Sequence, residues 1–92
     1  MKLGNSIKRL RKEKKIRQNE LANRINISPT YLSQIENNVK VPSVNTLELI
    51  ANALSTPVPI IYFFATEEED IAPEKWGAFK AISPLVKACF ED

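Results

Sequence analysis

The sequence predicts an all-α fold. Three observations carry that reading: the composition, an apolar stripe along the first dozen residues, and two short helical patterns that meet at a tight break between Gln18 and Asn38. Of 92 residues, 43% are hydrophobic, 26% are charged and only two are glycine. That balance describes a globular, helical chain rather than a disordered or all-β one.

The first helix follows from Leu3, Ile7 and Leu10, which repeat at i, i+4 and i+7 and place an amphipathic helix from about Leu3 to Lys14. Its other face, with Lys8, Arg9, Arg11, Lys12, Lys14 and Lys15, reads chiefly as a solvated cationic surface. The cations at its C-terminal end also suit the helix dipole.

Two shorter helices come next. Leu21, Ala22 and Ile25 share one face of the first, and Leu32 and Ile35 share one face of the second. Ser28 is placed to cap the second, because its hydroxyl can accept from an otherwise unpaired backbone N–H. Pro29 falls at the first helical position, where a missing N–H costs nothing. Ile27, just before the cap, can fold back onto Leu32. Two helices joined by so short a break, with an apolar inner corner, form a helix-turn-helix unit.

Further on, Pro42 closes a loop and Ser43 caps a fourth helix whose buried stripe reads Val44, Leu47, Ile50, Ala51 and Leu54. Pro57 and Pro59 bracket Ile60–Phe64, which by pattern alone is either a short helix or a buried strand. This run is more apolar than so small a domain needs to cover, which marks part of it as a subunit contact. Glu67–Asp70 reads as a solvated hinge or the first turn of another helix. Pro73-Glu74 then opens a helix bearing Trp76, Phe79 and Ile82. Ser83-Pro84 reads as a second cap and first turn, followed by Leu85, Val86, Cys89 and Phe90. The expected division is a helix-turn-helix domain over residues 1–64 and an acidic hinge with a helical extension over 65–92.

Charge is unevenly spread. Residues 1–56 carry ten Lys/Arg against four Glu, a net +6, and residues 57–92 carry three Lys against seven acids, a net −4. A basic first half beside a helix-turn-helix points to a polyanion. The lone Cys89 cannot form an internal disulfide, and the sequence contains neither a signal peptide nor an apolar run long enough to span a bilayer. A soluble cytoplasmic protein, nucleoid-associated when bound to DNA, is expected, with no membrane partner. No histidine, glycine-rich phosphate loop or base beside Cys89 is present. The expectation is therefore no enzyme, no cofactor and no metal.

Residues in register sharpen this reading. Arg11; Ile16, Gln18, Leu21 and Ala22; Ser33, Ile35 and Glu36; and Pro42-Ser43 with Leu47 make the run from Ile7 to Leu54 resemble the Cro/C1-type (XRE-type) helix-turn-helix domain of phage repressors and bacterial regulators. The resemblance implies a five-helix lambda-repressor-like domain in which Ile60–Phe64 is helical. It also implies that Arg11 pairs with Glu36 as a scaffold fork between the first and third helices. The third helix, Pro29 to Asn37, would lie in the major groove. Ser28, Pro29, Thr30, Ser33, Gln34 and Asn37 would face base edges, and Gln34 is the sharpest of these because a carboxamide pairs bidentately with adenine. Phosphate contacts would come from Arg17, Gln18, Tyr31, Asn38 and Lys40. Two readings of Tyr31 stay open: its ring seals the corner over the turn, or its hydroxyl bonds a phosphate.

The chain departs from the family pattern twice. Arg17 stands where a small hydroxyl usually caps the second helix. Asn38 replaces the usual glycine at the stop of the third, a place asparagine tolerates. The expected function is sequence-specific binding of double-stranded DNA by a transcriptional regulator, a repressor, acting as a homodimer on a two-fold symmetric operator with half-sites about 34 Å apart. The expected dimer contacts are Ile61, Phe63, Phe64, Trp76, Phe79, Leu85 and Phe90, with packing inside one chain as the competing reading for the tail. The alternative function is a protein-interaction module, an antitoxin or a regulator controlled by a partner protein through this tail.

Overall fold

Turns without glycine set the course of this chain. The computed structural model describes residues 1–90, so the last two residues of the expected 65–92 extension lie outside the described residues. The elements are α1 (Leu3–Glu13), α2 (Gln18–Arg24), α3 (Pro29–Glu36), α4 (Val44–Ala53), α5 (Val58–Ala65) and α6 (Pro73–Phe90), with a 3₁₀ turn at Glu68–Asp70. The described residues contain no strand.

Helices α1 to α4 all stop in the same way. The second residue past each helix is left-handed: Lys15 at φ 58°, Asn26 at 60°, Asn38 at 61° and Ser55 at 51°. Each stop closes two backbone bonds onto the last turn. After α3, for example, Val39 N–H donates to Gln34 C=O at 2.9 Å and Asn38 N–H to Ile35 C=O at 3.1 Å. The same pair recurs after α1, α2 and α4 through Ile16 and Lys15, Ile27 and Asn26, and Thr56 and Ser55. This is the double closure that satisfies orphan carbonyls at helix ends. Glycine adopts that conformation at least cost. Here no glycine is used, and Lys15 and Ser55 hold it without the local hydrogen bonding that favours asparagine.

The starts are more conventional. Ser28 Oγ accepts from Tyr31 N–H at 3.0 Å, and Ser43 Oγ from Thr46 N–H at 3.1 Å. Lys2 gives α1 no side-chain cap. That role passes to Asn38, whose Oδ1 accepts from Gly4 N–H at 2.9 Å while its Nδ2 donates to Asn5 Oδ1 at 2.8 Å. Gly4 is what permits the approach, since a Cβ there would run into the carbonyl oxygen of Ile35.

The core is one cluster drawn from α1 to α5, including Ile7, Leu10, Leu21, Leu32, Ile35, Ile50, Leu54 and Ile61. Ser6 Oγ donates to the carbonyl of Ile61 at 2.8 Å, pinning α1 to α5 with a buried bond. The segment that pattern left as helix or strand is thus helical, and it closes the core. Two expectations are corrected here. Val44, at the first position of α4, is 74% exposed, because its side chain precedes the buried stripe of Leu47, Ile50, Ala51 and Leu54. Ile61 is fully buried inside its own chain and is therefore not a dimer contact.

Helix α6 is continuous through Ser83-Pro84, so that pair does not start a second helix. Pro84 instead removes one helical N–H, leaving the carbonyl four residues earlier without its usual donor. The inner face of α6, with Trp76, Phe79, Ser83, Val86 and Phe90, is half-buried. Phe79 packs on Phe63 at 4.8 Å between ring centroids and stacks on Trp76 at 5.3 Å. Lys14 Nζ reaches the carbonyl of Phe90 at 3.5 Å. The tail aromatics thus pack against α5 and α1 of the same chain and stay half-exposed. The acidic run is folded, too. Asp70 accepts from Glu67 N–H at 2.9 Å, and the N-terminal ammonium lies 3.1 Å from Asp70 and 3.3 Å from Glu67. These two donors, the backbone N–H first, hold the Asp70 carboxyl below its usual range.

Two substitutions test this account through thermal unfolding. Gly4→Ala should cost roughly 1–3 kcal/mol by forcing α1 away from α3. Ser55→Gly should relax a strained stop and raise stability by roughly 0.5 kcal/mol, about 2–4 °C in Tm.

Candidate nucleic-acid interface

The site begins with a buried carboxylate. Glu36 closes α3 on its inner side, only 1% exposed, and receives donors from two other helices. From α1, Arg11 Nε donates to Oε2 at 2.7 Å and Nη2 to Oε1 at 2.9 Å. From α2, Gln18 Nε2 donates to Oε1 at 3.2 Å. The remaining guanidinium arm, Nη1, donates to the carbonyl of Ile16 at 2.9 Å. A planar guanidinium matched to a carboxylate by two parallel bonds fixes direction as well as distance. Arg11 and Glu36 thus sit as the scaffold pair expected of them, and Gln18 joins them. Its carboxamide, half-buried, thus adds a third donor to the same carboxylate.

With its inner edge held, α3 presents Thr30, Ser33, Gln34 and Asn37 outward. Steps of three and four residues (30 to 33 and 34, then each of these to 37) put them on one face, opposite the buried Leu32 and Ile35. Thr30 and Asn37 are exposed, and Ser33 and Gln34 half-exposed. Asn37 Nδ2 donates to Ser33 Oγ at 3.3 Å, a local exposed bond between two groups of the same edge. Ser28 and Pro29 stand exposed at the helix start, where the Ser28 hydroxyl is already engaged as the cap. The acid of α3 is Glu36, which is buried and neutralised by Arg11. The outward edge therefore offers donors, acceptors and a methyl, with no carboxylate to repel a polyanion.

Cations flank this edge. Arg17, the N-cap residue of α2, is exposed, and its guanidinium makes no hydrogen bond or ion pair with the described residues. The lost hydroxyl cap is partly made good by Glu20, whose carboxylate accepts from Arg17 N–H at 3.3 Å and pairs with Arg24 at 2.9 Å. Lys40 lies on the far side with its Nζ 6.0 Å from the centre of the Tyr31 ring. That ring is half-buried and packs against the core, so it seals the corner over the turn. Asn38 is the other departure from expectation. Its side chain bonds Gly4 and Asn5, so it caps α1 while remaining exposed.

Sequence reasoning missed Gly4, Asn5 and Glu20. An isolated glycine in the first turn of an otherwise regular helix was the one available signal for the first two. For Glu20, the signal was an acid three residues after a helix start.

Comparison with known proteins follows the same outline. A helix-turn-helix family model matches residues 7–61. The immunity repressor protein of Bacillus phage phi105 is 38% identical over 84 aligned positions, which take in 78% of this chain and 58% of that protein. The chain therefore matches little more than half the length of this relative. The ImmF control region 10 kDa protein of the same phage is 43% identical over 60 positions, covering 65% of this chain and 67% of that one. Among solved structures, the master regulator for biofilm formation SinR, crystallised in complex with DNA, superposes with a TM-score of 0.62 at 36% identity. That match covers 65% of this chain and 97% of SinR's.

The fork has its own test in urea denaturation. Arg11→Met strands a buried carboxylate and should cost about 3–5 kcal/mol, whereas Arg11→Met combined with Glu36→Leu should recover most of that loss.

Proposed function

Since the chain belongs to the XRE-type helix-turn-helix family, with a lambda-repressor-like fold, we propose that it is a transcriptional repressor that binds a specific double-stranded DNA site through the outward edge of α3. The observation that carries this reading is the pairing of a locked inner edge with an acid-free outer one. Glu36 is fastened from two sides, and Thr30, Ser33, Gln34 and Asn37 are left for the groove. The repressor from phage phi105 and the DNA complex of SinR support it. The family is one of DNA-binding regulators rather than enzymes, and a DNA partner implies an intracellular, cytoplasmic site of action.

In this reading α3 enters the major groove with its first turn leading. Gln34 offers its carboxamide to an adenine edge, and Thr30 its methyl to thymine or its hydroxyl to a base. Ser28, Pro29, Ser33 and Asn37 line the remainder of the base-facing surface. Arg17, Lys40 and the Tyr31 hydroxyl hold phosphates on either side, and the backbone N–H groups at the start of α2 join Arg17.

Residues 1–64 act as the DNA-binding domain and residues 65–92 as an extension that pairs two copies on a two-fold operator. The pairing surface is the outer face of α6, where Ala78, Ala81, Ile82, Leu85, Ala88 and Cys89 recur at helical spacing, uncharged and exposed. Leu85 is 69% exposed there, whereas Trp76, Phe79 and Phe90 face inward. A two-fold contact would set this face against the same face of a second copy, with no like charges opposed.

Binding-site selection from a random DNA pool tests the base contacts directly. Gln34→Ala should lose discrimination at one or two base pairs, worth roughly 1–3 kcal/mol, while Lys40→Ala should weaken all sequences alike and lower the salt slope by about one. An unchanged selected sequence with Gln34→Ala would show that α3 is misplaced. In sedimentation equilibrium, Leu85→Glu should shift a dimer to monomer without changing the helical content.

A further inference from the structure

A cleft of about 580 Å³ opens between α1, α5 and α6, and its lining has no residue from α2 or α3. Its floor is a run of rings. Phe63 meets Phe64 edge-on at 5.8 Å and Phe79 at 4.8 Å, and Phe79 stacks on Trp76 at an interplanar angle of 12°. Its walls carry cations. Arg9 of α1 lies over the Phe64 ring, 5.4 Å from its centre, and Lys80 of α6 is exposed on the opposite side. Among the described residues no acidic side chain lines it.

We propose that this cleft is a docking site for an acidic peptide segment of a partner protein, one that carries carboxylates beside an aliphatic side chain. Charge complementarity selects the acid. Arg9 and Lys80 face across an apolar floor, and a charge beside low-dielectric walls acts more strongly than one in open water. Arg9 already pairs with Glu13 at 3.2 Å, but both side chains are exposed, and a pair of this kind contributes little to stability. An incoming carboxylate can take that place.

The ring geometry selects the aliphatic side chain over a nucleobase. Single-strand binders offer free aromatic faces for bases to stack on. Here the stacked faces of Trp76 and Phe79 are turned to one another, and Phe79 also leans on Phe63. The rings are thus engaged with one another rather than offered as separate stacking platforms, and a closed apolar cluster of this kind suits a leucine or isoleucine side chain.

The inference stands apart from the DNA reading, so the two fail separately. Trp76 is the chain's single tryptophan, and its emission reports the cleft directly. The probe is an acetylated, amidated peptide, Ser-Glu-Glu-Leu-Glu-Leu-Glu-Ser, titrated into the full chain. A saturable change in emission is expected. Binding should weaken roughly tenfold or more when the peptide's Glu residues become Lys or its Leu residues become Ser, and also with Lys80→Glu or Arg9→Gln in the protein. Far-UV circular dichroism checks that both variants keep their helices. Absence of a saturable change, equal binding of either altered peptide, or indifference to both substitutions overturns the proposal. Displacement of the peptide by a short oligothymidylate also overturns it, reassigning the cleft to nucleic acid.

Discussion

Three helices of this protein meet on one carboxylate. Glu36 is taken out of water, and such a group is tolerable only when its lone pairs are filled with good geometry. Arg11 fills them from α1 and Gln18 from α2, while the spare arm of Arg11 secures the carbonyl of Ile16 where α1 has just stopped. Apolar packing between short helices is adaptable, because similar contacts survive small rotations. Parallel N–H···O bonds do not tolerate such slippage. The fork therefore sets how α3 is rotated about its own axis, and the rotation decides which four side chains look outward. The Gly4–Asn38 clamp adds a second fixed point, joining the start of α1 to the stop of α3.

What was legible in the sequence was what depends on near neighbours. Ser28 and Ser43 cap helices because the hydroxyl and the amide it serves lie three residues apart. The apolar phase of α3 follows from two residues and the helical repeat. Arg11 and Glu36, separated by 25 positions, could be joined only through the resemblance. Contacts that exist only once helices have docked were hidden. Gly4 looked like an isolated glycine until the carbonyl of Ile35 was placed against it, and the bonds of Asn38 to Gly4 and Asn5 and of Gln18 to Glu36 exist only once α1, α2 and α3 have met. Val44 was misjudged because it shares the phase of the stripe but lies a turn ahead of the part that other helices cover. Ser83-Pro84 was misjudged because proline in a first turn and proline inside a helix have the same local sequence.

Helix α6 illustrates how composition alone can mislead. It is apolar over most of its circumference, and such a helix is expected to be buried. Among its described residues none is fully buried. One face rests on α5 through rings, another is open to solvent, and Lys80 stands at the edge of the cleft. The helix is thus laid on the domain rather than built into it. The apolar excess noticed around Ile60–Phe64 is partly explained by that layer, since Phe63 and Phe64 serve as its seat while Ile61 belongs to the core.

The left-handed stops after α1 to α4 have a consequence for the denatured chain. A glycine at each would ease the native turn, yet it would also enlarge the set of conformations the unfolded polypeptide explores. With lysine, serine and two asparagines in those places, the strain stored in the native backbone is set against a stiffer, less disordered starting ensemble. Four connections that look imperfect when folded leave less entropy to be surrendered on the way there.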